Sequence, residues 1–209
     1  MSGAQRTDPS ELGLVIDWAN AHAREGDDWN TDSGLLPSRI RMTGHPSPFV
    51  LYATKMAALL TLFNDELLPD TALVVRYWPT PAWNAQVVSD LAQRHGNRVR
   101  FVGDLDPLDL LTFCSLGTGL ADDVRLEYVG VGDRWLQCLR LERCLLSMTP
   151  FERLLWHQVR GLFDWTATLG SDAVAMLDGG EKVETDGAMN PRIQPDDVLE
   201  SIRTDLLRG

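Results

Sequence analysis

The sequence is short of residues that could staple or anchor it. Its three cysteines, Cys114, Cys138 and Cys144, are an odd number without metal-ligand spacing. Cys138 and Cys144 stand among leucines and read as small buried hydrophobes. The four histidines are scattered, at 22, 45, 95 and 157, so no zinc site is expected. No apolar run approaches the length that spans a bilayer, and Met1 to Glu11 lack the apolar core of an export signal. The cytoplasm is therefore the expected location. Positive charge is scarce as well: 19 Lys and Arg face 30 Asp and Glu, a formal net charge of -11. A protein that grips nucleic acid unaided shows a basic face, because neutralising phosphates supplies much of the affinity. A nucleic-acid role would need a partner or a metal here, with Lys55, Arg94, Arg98 and Arg100 as candidates for a local basic patch.

Apolar material is ample, at 44% of 209 residues, enough for one sizeable core. Asp8-Pro9-Ser10-Glu11 has the layout of a helix start, and Leu12, Val15, Ile16 and Ala19 recur at helical spacing, predicting a helix over 9–24. Residues 26–48 are polar and broken by Gly and Pro and read as a long loop, with Trp29 a plug over a core edge. Strands are predicted at 49–53, 72–78, 99–102 and 124–129. Helices are predicted at 55–67, from Thr80-Pro81 to Gly96, and from Pro107 to about Leu116, with Leu116 to Leu120 a turn. Strands starting roughly 25 residues apart, with a helix between each pair, have the rhythm of parallel βαβ units. The fold class is therefore α/β: a mainly parallel four-stranded sheet sandwiched by helices, with a helical C-terminal layer.

Beyond Tyr128 the pattern is less regular. The stretch 135–146 is open between helix and strand. Thr149-Pro150-Phe151-Glu152 is a capping signal, and Phe151, Leu154, Leu155, Val159, Leu162 and Phe163 follow on one face. A short helix is predicted over 172–177 and a last one from Pro195. The expected organisation is an N-terminal helix and loop over 1–48, an α/β domain with a helical extension over 49–190, and a C-terminal helix over 191–209.

The stretch that invites a chemical reading is Val99-Arg100-Phe101-Val102-Gly103-Asp104-Leu105-Asp106-Pro107. In open α/β sheets ligands bind beyond the carboxyl ends of the strands, which is where Asp104 and Asp106 fall. Two close carboxylates offer hard oxygen ligands for Mg²⁺. Capping competes with that reading. Asp106 before Pro107 makes an N-cap, and Asp109 sits favourably near the positive end of the helix dipole. Capping leaves Gly103 and Asp104 without a reason.

The Asp104-x-Asp106 pair resembles the Asp-x-Asp motif of TOPRIM domains, most closely the version in the A subunit of type IIB topoisomerases, their meiotic double-strand-break relatives and the Wadjet-type nuclease subunit. Met148-Thr149-Pro150-Phe151-Glu152 is similar to that family's Leu-Thr-x-x-Asp/Glu helix start. Gly180 to Ala188 is similar to its closing Lys-x-Glu-x-x-Ala segment. The resemblance covers roughly residues 48–190. It implies a TOPRIM/Rossmann-like sheet, with Asp104 and Asp106 as catalytic residues, Asp104, Asp106 and Glu184 as Mg²⁺ ligands, and DNA strand chemistry. Two departures stand out. Thr54 occupies the place of the family's glutamate at the end of the first strand, and the next acid along the chain is Asp65. Residues 1–48 are too few for the upstream domain that carries the nucleophilic tyrosine, and Tyr52 lies inside a strand, where core packing explains it.

The expected function is therefore a TOPRIM-like, Mg²⁺-dependent nucleic-acid-processing protein, or a catalytically impaired subunit of a DNA-processing or defence complex, meeting DNA with the help of a partner protein. Two alternatives compete. Asp-x-Asp after a strand also begins the haloacid dehalogenase motif, in which Asp104 would be the nucleophile and Asp106 the acid/base, although Leu108 stands where that motif has threonine. The other is a non-enzymatic interaction module whose acidic turn only caps a helix. Glu181, Glu184 and Asp186 read as a solvated acidic loop, Lys55 as a surface charge, and Trp156 and Trp165 as packing for the helical layer.

Overall fold

A computed structural model describes residues 7–22, 38–39, 44–63, 67–74 and 82–208. Most of the 26–48 loop with Trp29, residues 75–78 of the second predicted strand, Asp65 and Thr80-Pro81 lie outside them. The first elements are helix α1 (Pro9–His22), the two-residue strand β1 (Ser38–Arg39), β2 (Val50–Ala53), α2 (Met56–Leu62), β3 (Ala72–Val74), α3 (Ala82–Gln93), β4 (Arg98–Val102), α4 (Pro107–Gly119) and β5 (Arg125–Tyr128). The chain continues through α5 (Asp133–Leu136), a 3₁₀ turn at Leu141–Arg143, β6 (Leu145–Ser147), α6 (Pro150–Val159), α7 (Trp165–Leu169), α8 (Ser171–Asp178), β7 (Glu181–Val183), α9 (Thr185–Ala188) and α10 (Asp196–Leu207).

The main sheet has the order β1-β3-β2-β4-β5. Strands β3, β2, β4 and β5 run parallel, and β1 pairs antiparallel with β3 at one edge. The α/β class with four parallel strands is thus as the βαβ rhythm implied. Helices cover both faces, which is why β2 is a continuous apolar run, Val50-Leu51-Tyr52-Ala53, instead of an alternating one. Alternate residues of β4 point to opposite sides. The Phe101 ring meets Phe113 of α4 edge-on at 5.6 Å and lies between Tyr52 and Tyr128. Arg100, on the other face, donates to the Leu206 carbonyl near the end of α10 at 2.9 Å. It lies 3.4 Å from Glu127, its partner in the register with β5.

Helix α4 is the central one, packed by α3, α6 and α1, and it buries Leu110, Leu111, Phe113, Cys114 and Leu116. Being enclosed on several sides, it is apolar around most of its circumference. It also runs on through Leu116-Gly117-Thr118-Gly119, where a turn was expected. A Cβ on Gly119 would come within 2.6 Å of the Ala85 Cβ, so the glycine permits close packing of α3 on α4 and does not break the helix. The predicted α6 face is likewise shorter. The helix stops at Val159, and Leu162 and Phe163 lie beyond it, Phe163 against Trp165 and Phe113. Trp156 and Trp165 are buried in this layer, as expected.

The open stretch 135–146 resolves into the end of α5, the 3₁₀ turn and the first two residues of β6. β6 pairs antiparallel with β7, so Glu181 belongs to a strand and Asp186 to a short helix, not to a free loop. No described helix is long and apolar enough to cross a membrane.

Candidate functional site

The acidic turn leaves the carboxyl end of β4, in the middle of the sheet. Asp106 is extended, and its carboxylate accepts the backbone N–H of Asp109 at 2.9 Å. With Pro107 in the first turn, this is the N-cap read from the sequence. Between the two aspartates, Leu105 forms an antiparallel bridge with Val183, its N–H donating at 2.9 Å and its carbonyl accepting at 3.2 Å. The small β6–β7 sheet is thereby joined to the acidic turn.

Asp104 is 1% exposed, and both its oxygens are engaged. Oδ1 accepts the backbone N–H and the hydroxyl of Thr185, each at 2.7 Å. Oδ2 is 2.7 Å from the ammonium of Lys55. Lys55 follows β2, whose register with β4 sets Ala53 beside Val102, so the two chain segments leave the sheet side by side. Thr54, in the same place, donates to Asp109 Oδ2 at 2.7 Å. That oxygen also accepts the backbone N–H of Asp104 at 2.5 Å.

Gly103 now has a reason. A Cβ there would collide with the Phe101 ring and press on the Asp109 carboxylate. Gly130, which follows β5, lies so close that a Cβ on it would overlap the Gly103 carbonyl oxygen. Tyr128 closes this side, its hydroxyl directed at the carbonyl oxygens of Asp104 (2.8 Å) and Gly103 (3.1 Å).

A second lysine stands across the turn. Lys182 on β7 donates to Glu152 at 2.7 Å and to Glu184 Oε1 at 3.2 Å. Glu184 Oε2 is 3.1 Å from Lys55, and Asp186 stands 4.0 Å from the same ammonium. Glu152 is held in turn by the capping box of α6: Thr149 N–H donates to Glu152 Oε2 at 2.7 Å, and Glu152 N–H donates to Thr149 Oγ1 at 3.2 Å.

Crowding of carboxylates shifts their ionisation. Burial, with the Asp104 charge beside it, pushes Asp106 up to about 7 against the opposing pull of Lys182. Burial and the charges of Asp104 and Asp106 push Asp109 well above the usual carboxylate range. Tyr128 is raised by burial and by the three aspartates. Burial alone would lower the two lysines, but neighbouring carboxylates outweigh it. Asp104 and Glu184 hold Lys55 above its ordinary value, and Asp106, Glu152 and Glu184 do the same for Lys182. Burial would raise Glu184, yet Lys55 and Lys182 bring it below its ordinary value.

Of the residues predicted for the site, Asp104 and Asp106 flank one turn, and Glu184 joins them through Lys55. Lys55, read from the sequence as a surface charge, is an ion-pair partner of the buried Asp104. Asp109 and Thr54 belong to the same network, as do Lys182, Glu152 and Thr185. Thr185 and Lys182 lie about 80 residues from the turn they complete, and only the segment 180–188 hinted at them.

Does this donor set fit Mg²⁺? The ion prefers an octahedron of oxygens at about 2.0–2.1 Å and needs lone pairs free to face it. Asp104 Oδ1 already serves Thr185 twice, Oδ2 faces Lys55, and Asp106 caps a helix. Among the described residues no three His, Cys, Asp or Glu side chains are gathered as ligands of one ion. In this arrangement the residues do not fit Mg²⁺. What the centre can do as built is bind protons and hold four segments of chain together by charge: the end of β2, the acidic turn, the start of α6 and residues 182–186. Compared with family models and with curated proteins, the chain matches none.

Proposed function

We propose that this chain is a TOPRIM-like domain serving as a non-cleaving subunit of a DNA-processing or defence complex, reaching DNA through a partner protein. One observation carries the reading. At the end of β2, where strand chemistry would need an acid, Thr54 stands and spends its hydroxyl proton on Asp109. An aliphatic hydroxyl does not relay protons near neutral pH as a carboxylate does. The neighbouring Lys55 neutralises Asp104. The acidic turn is then a joint between the parallel sheet and the C-terminal segments. The net charge of -11 fits a protein that relies on a partner for contact with phosphates.

The haloacid-dehalogenase alternative would need Asp104 as a free nucleophile. Its oxygens are instead committed to Thr185 and Lys55, and Leu108 takes the place of the threonine.

The test is incubation of the purified chain with supercoiled plasmid in Mg²⁺ or Mn²⁺, beside a small phosphomonoester assay and duplex-DNA binding at physiological salt. The expected result is intact plasmid, no phosphate release and no binding by the isolated chain. Nicking that disappears in Asp104→Asn, or tight DNA binding by the chain alone, overturns the proposal.

A further inference from the structure

We infer that the ammonium groups of Lys55 and Lys182 are the resident cations of the acidic turn, filling the role among Asp104, Asp106, Glu152 and Glu184 that a divalent ion would otherwise take. The inference concerns the site just described, but it rests on contacts within the chain and not on the nucleic-acid reading, so either can fail alone.

Charge balance comes first. Asp104, Asp106 and Asp109 lie within one turn, all buried, and Glu152 is buried beside them. Like charges this close in a poorly solvated site repel strongly unless a cation or a proton intervenes. Burial and neighbouring charge favour protons on Asp106 and Asp109. Asp104 instead meets the ammonium of Lys55 at 2.7 Å.

The geometry is also that of a bridged pair of cations. An ammonium has three donors and no acceptor. Lys55 directs its donors to Asp104 and Glu184, and Lys182 to Glu152 and Glu184. Glu184 divides its two oxygens between them, Oε2 to Lys55 and Oε1 to Lys182. One carboxylate thus links two positive centres, each of which holds a further carboxylate from a different element. Neither lysine is a freely solvated charge: their side chains are 29% and 12% exposed.

A corollary is that removing the Lys55 charge frees Asp104 Oδ2 and Glu184 Oε2, leaving two carboxylate oxygens without their cation. Thermal melts read this directly. For the wild type, replacing EDTA by millimolar Mg²⁺ or Mn²⁺ is expected to leave the Tm unchanged. Lys55→Met keeps the length of the stem but removes the cation. It should melt lower, and Mn²⁺ should raise its Tm by roughly 3–6 °C, a response that disappears in Lys55→Met with Asp104→Asn. A wild-type Tm that rises with Mn²⁺ as much as the variant's overturns the inference, as does a Lys55→Met protein that melts like the wild type and ignores the metal. Should Lys55→Met not fold, calorimetric titration of the wild type with Mn²⁺ decides: no binding heat supports the resident lysine, and heat that is lost in Asp104→Asn refutes it.

Discussion

The hydroxyl of Thr54 donates to Asp109 Oδ2 at 2.7 Å, and the same oxygen accepts the backbone N–H of Asp104 at 2.5 Å. Asp109 is therefore more than a favourable charge near a helix start. It ties the end of β2 to the turn that follows β4. Removing the hydroxyl with Thr54→Val leaves a buried carboxyl one partner short, and the expected loss in chemical denaturation is about 1–3 kcal/mol. Thr54→Glu, which restores the acid that the TOPRIM resemblance calls for, should be worse than Thr54→Val, because it sets a carboxylate against Asp109.

Asp104→Asn is the sharpest test of the ion pair with Lys55. The amide oxygen can still accept from Thr185, but the other position presents an NH₂ to the ammonium. Breaking a buried pair by neutralising one member is expected to cost about 3–5 kcal/mol, less to the degree that Lys55 can turn toward water. Equilibrium unfolding of the two proteins at neutral pH checks it; equal stability would mean that the pair contributes nothing.

Asp106 predicts a pH slope. Its carboxyl is raised to about 7 in the folded chain, against about 3.9 for an unperturbed aspartate. Between these values the folded state keeps a proton that the unfolded state releases, so stability from this group falls as pH rises from about 4 to about 7 and is level on either side. Asp106→Asn retains an N-cap oxygen for Asp109 and loses the titration. The variant should therefore gain on the wild type across that window, by an amount on the order of a few kcal/mol at most. Parallel denaturation series at acid and neutral pH would show the gap widening; a constant difference would contradict the shift.

Two glycines make a matched pair. A Cβ on Gly130 would overlap the carbonyl oxygen of Gly103, whereas one on Gly161 meets nothing within 4 Å. Gly130→Ala must push two backbones apart and should cost at least about 2 kcal/mol. Gly161→Ala should fall within about 0.5 kcal/mol of the wild type. Comparable losses at both positions would remove the case for close approach at the acidic turn.

Local chemistry made much of the fold readable. Asp106-Pro107 and Thr149-Pro150-Phe151-Glu152 announce their helices because a cap is formed by residues three apart. Val50 to Ala53 and Val99 to Val102 announce strands covered on both sides. The errors also have a cause. Gly117 and Gly119 look like punctuation, and only the approach of Leu126 to the first and of Ala85 to the second explains why the helix keeps them. Leu162 and Phe163 continue a helical spacing past the point where the chain turns.

The candidate site was half legible. Asp104 and Asp106 could be singled out because they stand only two residues apart in sequence, but Lys55, Thr54, Lys182 and Thr185 acquire meaning only through partners far along the chain. A lone lysine after a strand carries no sign of the carboxylate it will meet. The reading of Glu181, Glu184 and Asp186 as one solvated loop holds for the exposure of Glu181 and Asp186 but not for the loop, because the pairing of Glu181 to Val183 with Leu145 to Ser147 is invisible without register.

The bridge between Leu105 and Val183 has a consequence for the order in which the molecule can be completed. Synthesis delivers the parallel strands first, and Asp104 emerges with them. Val183 and Thr185 emerge about 80 residues later, and at roughly 5–20 residues per second that is a delay of several seconds. Throughout it Asp104 lacks both donors from Thr185, and Leu105 lacks its backbone partner. The nascent sheet must wait with its most crowded carboxylates open to water, and the segment of Val183 and Thr185 is the clasp that shuts them in.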